Sequence, residues 1–339
     1  MTGARFPTID IHAHYFPRAY LDLIGEEGAS YGARLREDGG AGPVVEAGGL
    51  RAGPLPAAFT DLERRLADMD ATGVDVQVLS LTQPMVYWAG GGLGERLSAA
   101  FNDSLATAHE AHPGRFVGCM TLPMQDPPRA VRELERAARL PGVRGVYLAT
   151  AICGRELSDE AFWPVYERIA DLGLPVFLHP LSVIGAERLK RYYLTNLLGN
   201  PFDTAVAAAH LIFGGVLDRY PALRVCLPHA GGALPYLIGR LHHGWSVRPE
   251  CRHLERGPMD YLRRFTYDTI AHSADALGYL IRTVGAGRIM LGSDYCFDMG
   301  CARPVEVVST HPDLDADEKA LILGGNAARL LGLGRPSQL

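Results

Sequence analysis

Two histidines one residue apart, His12 and His14, stand in the run Asp10-Ile11-His12-Ala13-His14 near the start of a 339-residue chain. Alternate side chains of an extended strand share a face, so both imidazoles point one way while Ile9, Ile11 and Ala13 point the other. Two imidazoles about 7 Å apart along a strand can close on one ion of borderline softness such as Zn2+. An HxH pair alone is a weak signal. It gains from three more residues at strand ends: His179 before Pro180, His229 before Gly231-Gly232, and Asp294. Strand alternation puts His179 on a face with Phe177, His229 with Val225 and Leu227, and Asp294 with Met290 and Gly292. Any one of them could be an ordinary polar strand end. Five at the ends of four strands point to one shared site. His272 could reach the same pocket from just past residues 265–268. The remaining histidines (His109, His112, His210, His242, His243, His253 and His311) fall on helices or loops and read as solvated or helix-capping.

Positioning such a site needs strands that end together. Eight β-rich runs occur, at 8–12, 74–80, 115–120, 143–148, 175–179, 223–228, 265–268 and 288–292. Helical periodicity fills 60–72, 95–112, 127–139, 159–173, 201–219 and 274–284. Strands alternating with helices give parallel β/α units, and eight of them predict an α/β fold closed as a (β/α)8 TIM barrel. No polar linker divides residues 1–339, so one barrel domain is expected. Two stretches break the rhythm: a Gly/Pro-rich insertion at about 25–57 after strand one, and a helical insertion at about 181–200 after strand five. Both follow strands, on the face where barrel enzymes carry their sites. They are either surface excursions or two walls of a substrate pocket.

Composition narrows the class. The chain is 47% hydrophobic and 21% charged, with a formal net charge of −5. No basic stripe is present to neutralise a nucleic acid, and no apolar run approaches the roughly 20 residues that span a bilayer. Lys190 and Lys319 are the only lysines, which leaves little room for Schiff-base chemistry. The six cysteines are dispersed without a CxxC pair, as suits a reducing cytoplasm. Neither a GxSxG elbow nor a GxxxxGK[ST] loop is present. Gly90 to Gly94 before a helix could cradle an anion, though such a run is more often a flexible loop.

Four motifs in order, Ile9 to Pro17, Val176 to Pro180, Leu227 to Gly232 and Leu291 to Phe297, resemble the amidohydrolase-related metal enzymes. Within them the chain is most similar to the aminocarboxymuconate-semialdehyde decarboxylase group, whose relatives include resorcylate-type decarboxylases, hydratases and C–C hydrolases. The resemblance implies a (β/α)8 barrel with one divalent metal, usually Zn2+ with Mn2+ as an alternative. It implies that His12, His14, His179 and Asp294 bind the metal and that His229 is the catalytic acid/base. It further implies that Arg51 and Arg240 bind substrate carboxylate, Arg240 from the neighbouring subunit of a homodimer, and that Phe297 belongs to the substrate pocket. Arginine suits that task because its planar fork pairs bidentately with a carboxylate. Strand four, Val143 to Ala149, lacks the lysine that bridges binuclear relatives, so one metal is expected. Leu194 to Leu197 replaces an aromatic pocket wall of the group by an amide, and Asp294 to Asp298 departs from its Asp-Tyr-Pro-Phe-Pro.

The implied activity is non-oxidative decarboxylation of an unsaturated or aromatic carboxylic acid. A metal-bound water and His229 would move the proton, and Asp294 would both ligate the metal and hold the water. A hydratase, or a hydrolase of a C–C or lactone bond, would use the same metal-hydroxide. A non-catalytic metal-binding scaffold would be expected to have lost His229 or the two arginines.

Overall fold

The computed structural model describes residues 6–38 and 40–334. Its central sheet has eight strands: β1 (Ile9–His14), β2 (Val76–Ser80), β3 (Phe116–Thr121), β4 (Val143–Ala149), β5 (Pro175–His179), β6 (Arg224–Leu227), β7 (Phe265–Asp268) and β8 (Ile289–Met290). They pair in chain order, and every pairing is parallel. The sheet curls until its edges meet: the Ile11 N–H donates to the Leu291 carbonyl at 2.9 Å, and Ala13 bridges to Tyr295. The result is the TIM barrel that the eight β/α alternations predict.

Each strand is followed by a helix that covers its outer side: α1 (Leu62–Thr72), α2 (Gly91–Ala111), α3 (Pro127–Ala137), α4 (Trp163–Asp171), α5 (Asn200–Phe213), α6 (Leu234–Val247), α7 (Ala274–Val284) and α8 (Asn326–Leu331). Side-chain caps start several of them, with Asp61 accepting from the Glu63 and Arg64 N–H groups, Asp126 from Arg129, and Ser273 from Ala276. Between sheet and helices lies a continuous apolar layer that includes Ile9, Val78, Phe101, Leu105 and Phe116. Burying each such side chain contributes roughly 1.5–3 kcal/mol. The expected helix over 201–219 divides because Gly215 takes a left-handed backbone (φ 70°), and Val216–Arg219 forms a separate turn.

Strand eight is shorter than its sequence run. After Met290 the Leu291 N–H donates to the Ile322 carbonyl, and the next two donors turn to side chains: the Gly292 N–H to Thr269 Oγ1 and the Ser293 N–H to Asp10 Oδ1. The ladder therefore stops where the site begins.

The stretch 25–57 holds a three-stranded antiparallel sheet, Arg34–Glu37, Pro43–Ala47 and Leu50–Ala52, which its Gly/Pro content did not suggest. Gly48 and Gly49, both at positive φ, make the tight turn between its last two strands. The stretch 181–200 is less helical than expected. It contains one 3-10 turn (Ala186–Arg188) and a π turn (Thr195–Gly199) that runs into α5. Left-handed backbones at Gly185, Tyr192 and Tyr193 keep the rest from closing a helix. Among the described residues, no helix is long and apolar enough to cross a membrane.

Candidate metal centre

β1 delivers Asp10, His12 and His14 to the barrel interior and sends Ile9 and Ile11 into the apolar layer. The Nε2 atoms of His12 and His14 lie 3.2 Å apart. Asp294 Oδ1 is 3.1 Å from His14 Nε2 and 3.5 Å from His12 Nε2. His179, at the end of β5, brings its ring centroid to 5.0 Å from that of His14 and 5.7 Å from that of His12. One ligand-type atom from each of His12, His14, His179 and Asp294 falls within 4.8 Å of all the others, and all four residues are buried.

Their protonation suits a cation. His12 Nδ1 is 2.8 Å from Asp268 Oδ2; that nitrogen carries the proton, and Nε2 turns its lone pair inward. His14 Nδ1 lies 3.2 Å from Ser80 Oγ, so Nε2 is again the free donor atom. Burial lowers His14 to about 4 and holds His179 well below the usual imidazole range. Burial pushes Asp294 upward, but the His14 hydrogen bond and the neighbouring imidazole charges outweigh it and keep the carboxyl below its usual value. His12 moves the other way: the Asp268 bond and the nearby carboxylates overcome its burial and raise it. His179 Nδ1 is buried without a hydrogen-bond partner. Three imidazoles and one carboxylate, with His12, His14 and Asp294 at 3.1–3.5 Å from one another and His179 within 4.8 Å of all three, fit one divalent ion.

His229 and Asp294 reach the site differently from the strand alternation predicted for them. β6 ends at Leu227, and His229 and Ala230 follow in left-handed turns (φ 53° and 55°). Asp294 likewise lies past β8 with φ 59°. Left-handed non-glycine residues each cost of the order of 1–3 kcal/mol and persist only where neighbours impose them. For His229 the neighbour is Asp268, which accepts the His229 N–H at Oδ2 (3.0 Å) and the Ala230 N–H at Oδ1 (2.7 Å). One carboxylate thus orients a ligand imidazole and the turn that carries His229. The His229 ring centroid sits 5.5 Å from that of His12 and 6.1 Å from that of His179, and burial lowers its pKa.

His229 and Asp294 open onto a cleft of about 490 Å3 at the barrel mouth. His272, left-handed at φ 52°, lines the same cleft, as do Asn196 and Asn200 from the second insertion and Tyr236 from α6. Asn196 is the amide that departs from the aromatic wall, and it faces the cleft. Phe297 packs its ring 5.4 Å from His14 and 5.0 Å from Phe59. The two arginines are not brought in. Arg51 lies exposed on the small antiparallel sheet, and Arg240 lies exposed on α6. Neither lines the cleft, and among the described residues neither has an ion-pair partner. His311, expected to be solvated, is instead buried, with Nε2 3.0 Å from the Ala274 carbonyl.

Sequence reasoning passed over Asp268, although it closes β7 as plainly as His179 closes β5. Strand-end position gives no sign of Tyr147, which lies inside β4. That phenol ring is fully buried, 6.1 Å from His14 and 5.8 Å from His179.

Residues 9–333 match the family described as Amidohydrolase. The 2-amino-3-carboxymuconate-6-semialdehyde decarboxylase of Dictyostelium discoideum is 32% identical over 328 residues, covering 96% of this chain and 91% of that protein. The crystal structure of 5-carboxyvanillate decarboxylase from Sphingomonas paucimobilis superposes with a TM-score of 0.83 at 29% identity, covering 98% of this chain and all of that one. A 5-carboxyvanillate decarboxylase from Novosphingobium aromaticivorans, complexed with manganese and 4-hydroxy-3-methoxy-5-nitrobenzoic acid, gives 0.81 at 26% identity, covering 97% and 96%. A barrel whose mouth gathers three histidines and an aspartate, matched along its length by these enzymes, belongs to the amidohydrolase family.

Proposed function

We propose that the chain is a metal-dependent, non-oxidative carboxy-lyase acting on an aromatic or unsaturated carboxylic acid. The observation that carries this reading is the pairing of the His12, His14, His179 and Asp294 cluster with His229 on one cleft. The named decarboxylases similar over nearly the whole chain support it. His12, His14, His179 and Asp294 would hold the ion, Zn2+ by the chemistry of the donor set, with Mn2+ as the alternative that the manganese-bound relative supports. A bound divalent ion supplies a Lewis acid that polarises a substrate oxygen and draws in the electrons released when the carboxylate departs.

The chain's own groups do the rest. As the carbon–carboxylate bond breaks, its electron pair stays on the substrate carbon, CO2 leaves, and that carbon needs a proton. His229 delivers it. Burial keeps His229 neutral at rest, so it first takes a proton from an acidic group of the substrate or from water. Asp268 holds His229 in place through two backbone N–H groups. Asn196, Asn200 and His272 offer polar contacts to ring substituents, and Phe297 backs the His14 ring. Arg240, from the other subunit of a homodimer, would meet the substrate carboxylate, and Arg51, which does not line the cleft in the single chain, would do so only with a movement of the small antiparallel sheet. A cytoplasmic location is consistent with the dispersed cysteines. The test is CO2 release from a panel of hydroxylated aromatic and unsaturated acids, run with metal-loaded and chelated protein. Turnover of one acid only when metal is bound supports the reading; metal-dependent hydration or hydrolysis without CO2 would replace it.

A further inference from the structure

Three of the four ligand residues straddle the one joint of the barrel that lacks a regular ladder. His12 and His14 ride on β1, Asp294 follows β8, and few backbone hydrogen bonds cross between them. A buried polar chain occupies that seam. Arg65 on α1 is 0% exposed, has no carboxylate partner within ion-pair distance among the described residues, and reaches inward. Its guanidinium donates to Gln77 Oε1 at 3.1 Å, to the Ala58 carbonyl at 2.9 Å and to the carbonyl of His14 itself. The same guanidinium lies 4.7 Å from the ring centroid of Tyr295, the residue after Asp294. Gln77 passes the chain on, donating from Nε2 to Asp10 Oδ2 at 3.1 Å. Asp10 Oδ1 accepts the His12 N–H at 3.1 Å and the Ser293 N–H at 3.0 Å, and Oδ2 accepts the Ser293 hydroxyl.

We propose that Arg65, with Gln77, Asp10 and Ser293, forms a brace across the β8–β1 seam that sets the spacing of His12 and His14 from Asp294. An unpaired cation is an expensive occupant for a fully buried helix position, where Leu or Met would pack without desolvation. Its planar fork can do what neither of those could. It holds the carbonyl of one ligand residue at its edge and lies over the ring next to another with its face. Gln77 fits because an amide both accepts from the guanidinium and donates to Asp10. Arg65 touches no ligand side chain and faces no cleft at the mouth, so it is a positioning residue.

The inference rests on the metal-centre reading, and its test separates the two. Divalent-metal affinity of Arg65→Met and Gln77→Leu is measured by chelator competition on protein shown to be folded by circular dichroism. The visible spectrum of the Co2+-loaded forms is recorded alongside. Tyr166→Phe, which removes the buried hydroxyl that donates to the Leu157 carbonyl, serves as a destabilised control away from the seam. The expected result is a loss of metal affinity of tenfold or more with an altered Co2+ spectrum in both seam variants, and neither change in the control. The double variant should be little worse than the worse single one, because both break one chain. Arg65→Lys, which keeps the charge without the fork, should leave the Co2+ spectrum altered. If Arg65→Met does not fold, Gln77→Leu decides alone. Wild-type affinity and spectrum in the folded seam variants would overturn the brace, as would an equal loss in Tyr166→Phe. Failure of the wild-type chain to bind metal would overturn the metal centre itself.

Discussion

The division of labour among the clustered histidines makes their substitutions separable. His229 lines the cleft but lies outside the cluster of ligand atoms. His229→Asn should therefore lower kcat by roughly 10²–10⁴-fold, the usual contribution of a positioned acid/base, while metal content measured by atomic emission stays at the wild-type level. Asp268 acts on two fronts, through the His12 Nδ1 proton and the His229 turn. Asp268→Ala should weaken metal binding by about 10–100-fold, as loss of such partners does, and should also cut turnover at saturating metal. Retained affinity with lost turnover would assign Asp268 to His229 alone. At this scale the ligand types were legible in the sequence, because His and Asp at strand ends announce themselves. The geometry that seats His229 and Asp294 was not. Alternation along a strand governs side chains only while the strand lasts, and both residues come after it ends, in left-handed turns.

At the scale of elements, each β/α unit was readable from apolar runs and periodicity, because burial against a ring of helices constrains every strand alike. The insertions were not, since their residues answer to local backbone conformation. Gly48 and Gly49 turn a hairpin, while Tyr192 and Tyr193 stop a helix that composition would have allowed. The shortness of β8 has the same origin, a backbone claimed by Thr269 and Asp10 side chains rather than by a neighbouring strand. Gly292 sits at that break, and a Cβ there would meet the Cβ atoms of Asp268 at 2.8 Å and His12 at 3.2 Å. Gly292→Ala must push β8 off both residues that orient the centre. Chemical denaturation should show a loss of about 1–3 kcal/mol, the range for overpacked cores, with metal content falling in parallel. Gly114→Ala meets no neighbouring atom and should leave metal content unchanged.

The whole molecule presents an apolar surface beside its active-site mouth. Ile184, Tyr192, Tyr193, Leu197, Leu198 and Phe202 are exposed along the second insertion and the start of α5, and Tyr236, 82% exposed, stands at the cleft rim on α6. Exposed large side chains gathered this closely are the kind of surface through which two copies of a chain can pair. On α6, Arg240 lies one turn beyond Tyr236, about 6 Å farther along the axis, exposed and outside its own cleft. The cleft in turn has no arginine or lysine lining it among the described residues, although the proposed substrate is an anion. A two-fold pairing through this face resolves both facts, because an isologous contact repeats each residue on both sides and can present one chain's Arg240 to the other's mouth. An arginine merely exposed to solvent would contribute under about 1 kcal/mol to stability through any surface ion pair, and its loss would leave turnover intact. Arg240→Ala should instead lose activity, chiefly through a raised KM, with the metal in place. The deciding experiment mixes Arg240→Ala with His229→Ala, at a substrate concentration far below the raised KM where each alone is nearly inactive, and allows the subunits to exchange. If Arg240 serves the partner's site, a mixed dimer collects both lesions in one cleft and leaves the other with an intact His229 and an intact Arg240. Activity should then return toward one working site per mixed dimer. Exchange verified by mass spectrometry without recovered activity would place Arg240 outside the reaction and leave the carboxylate to groups of a single chain.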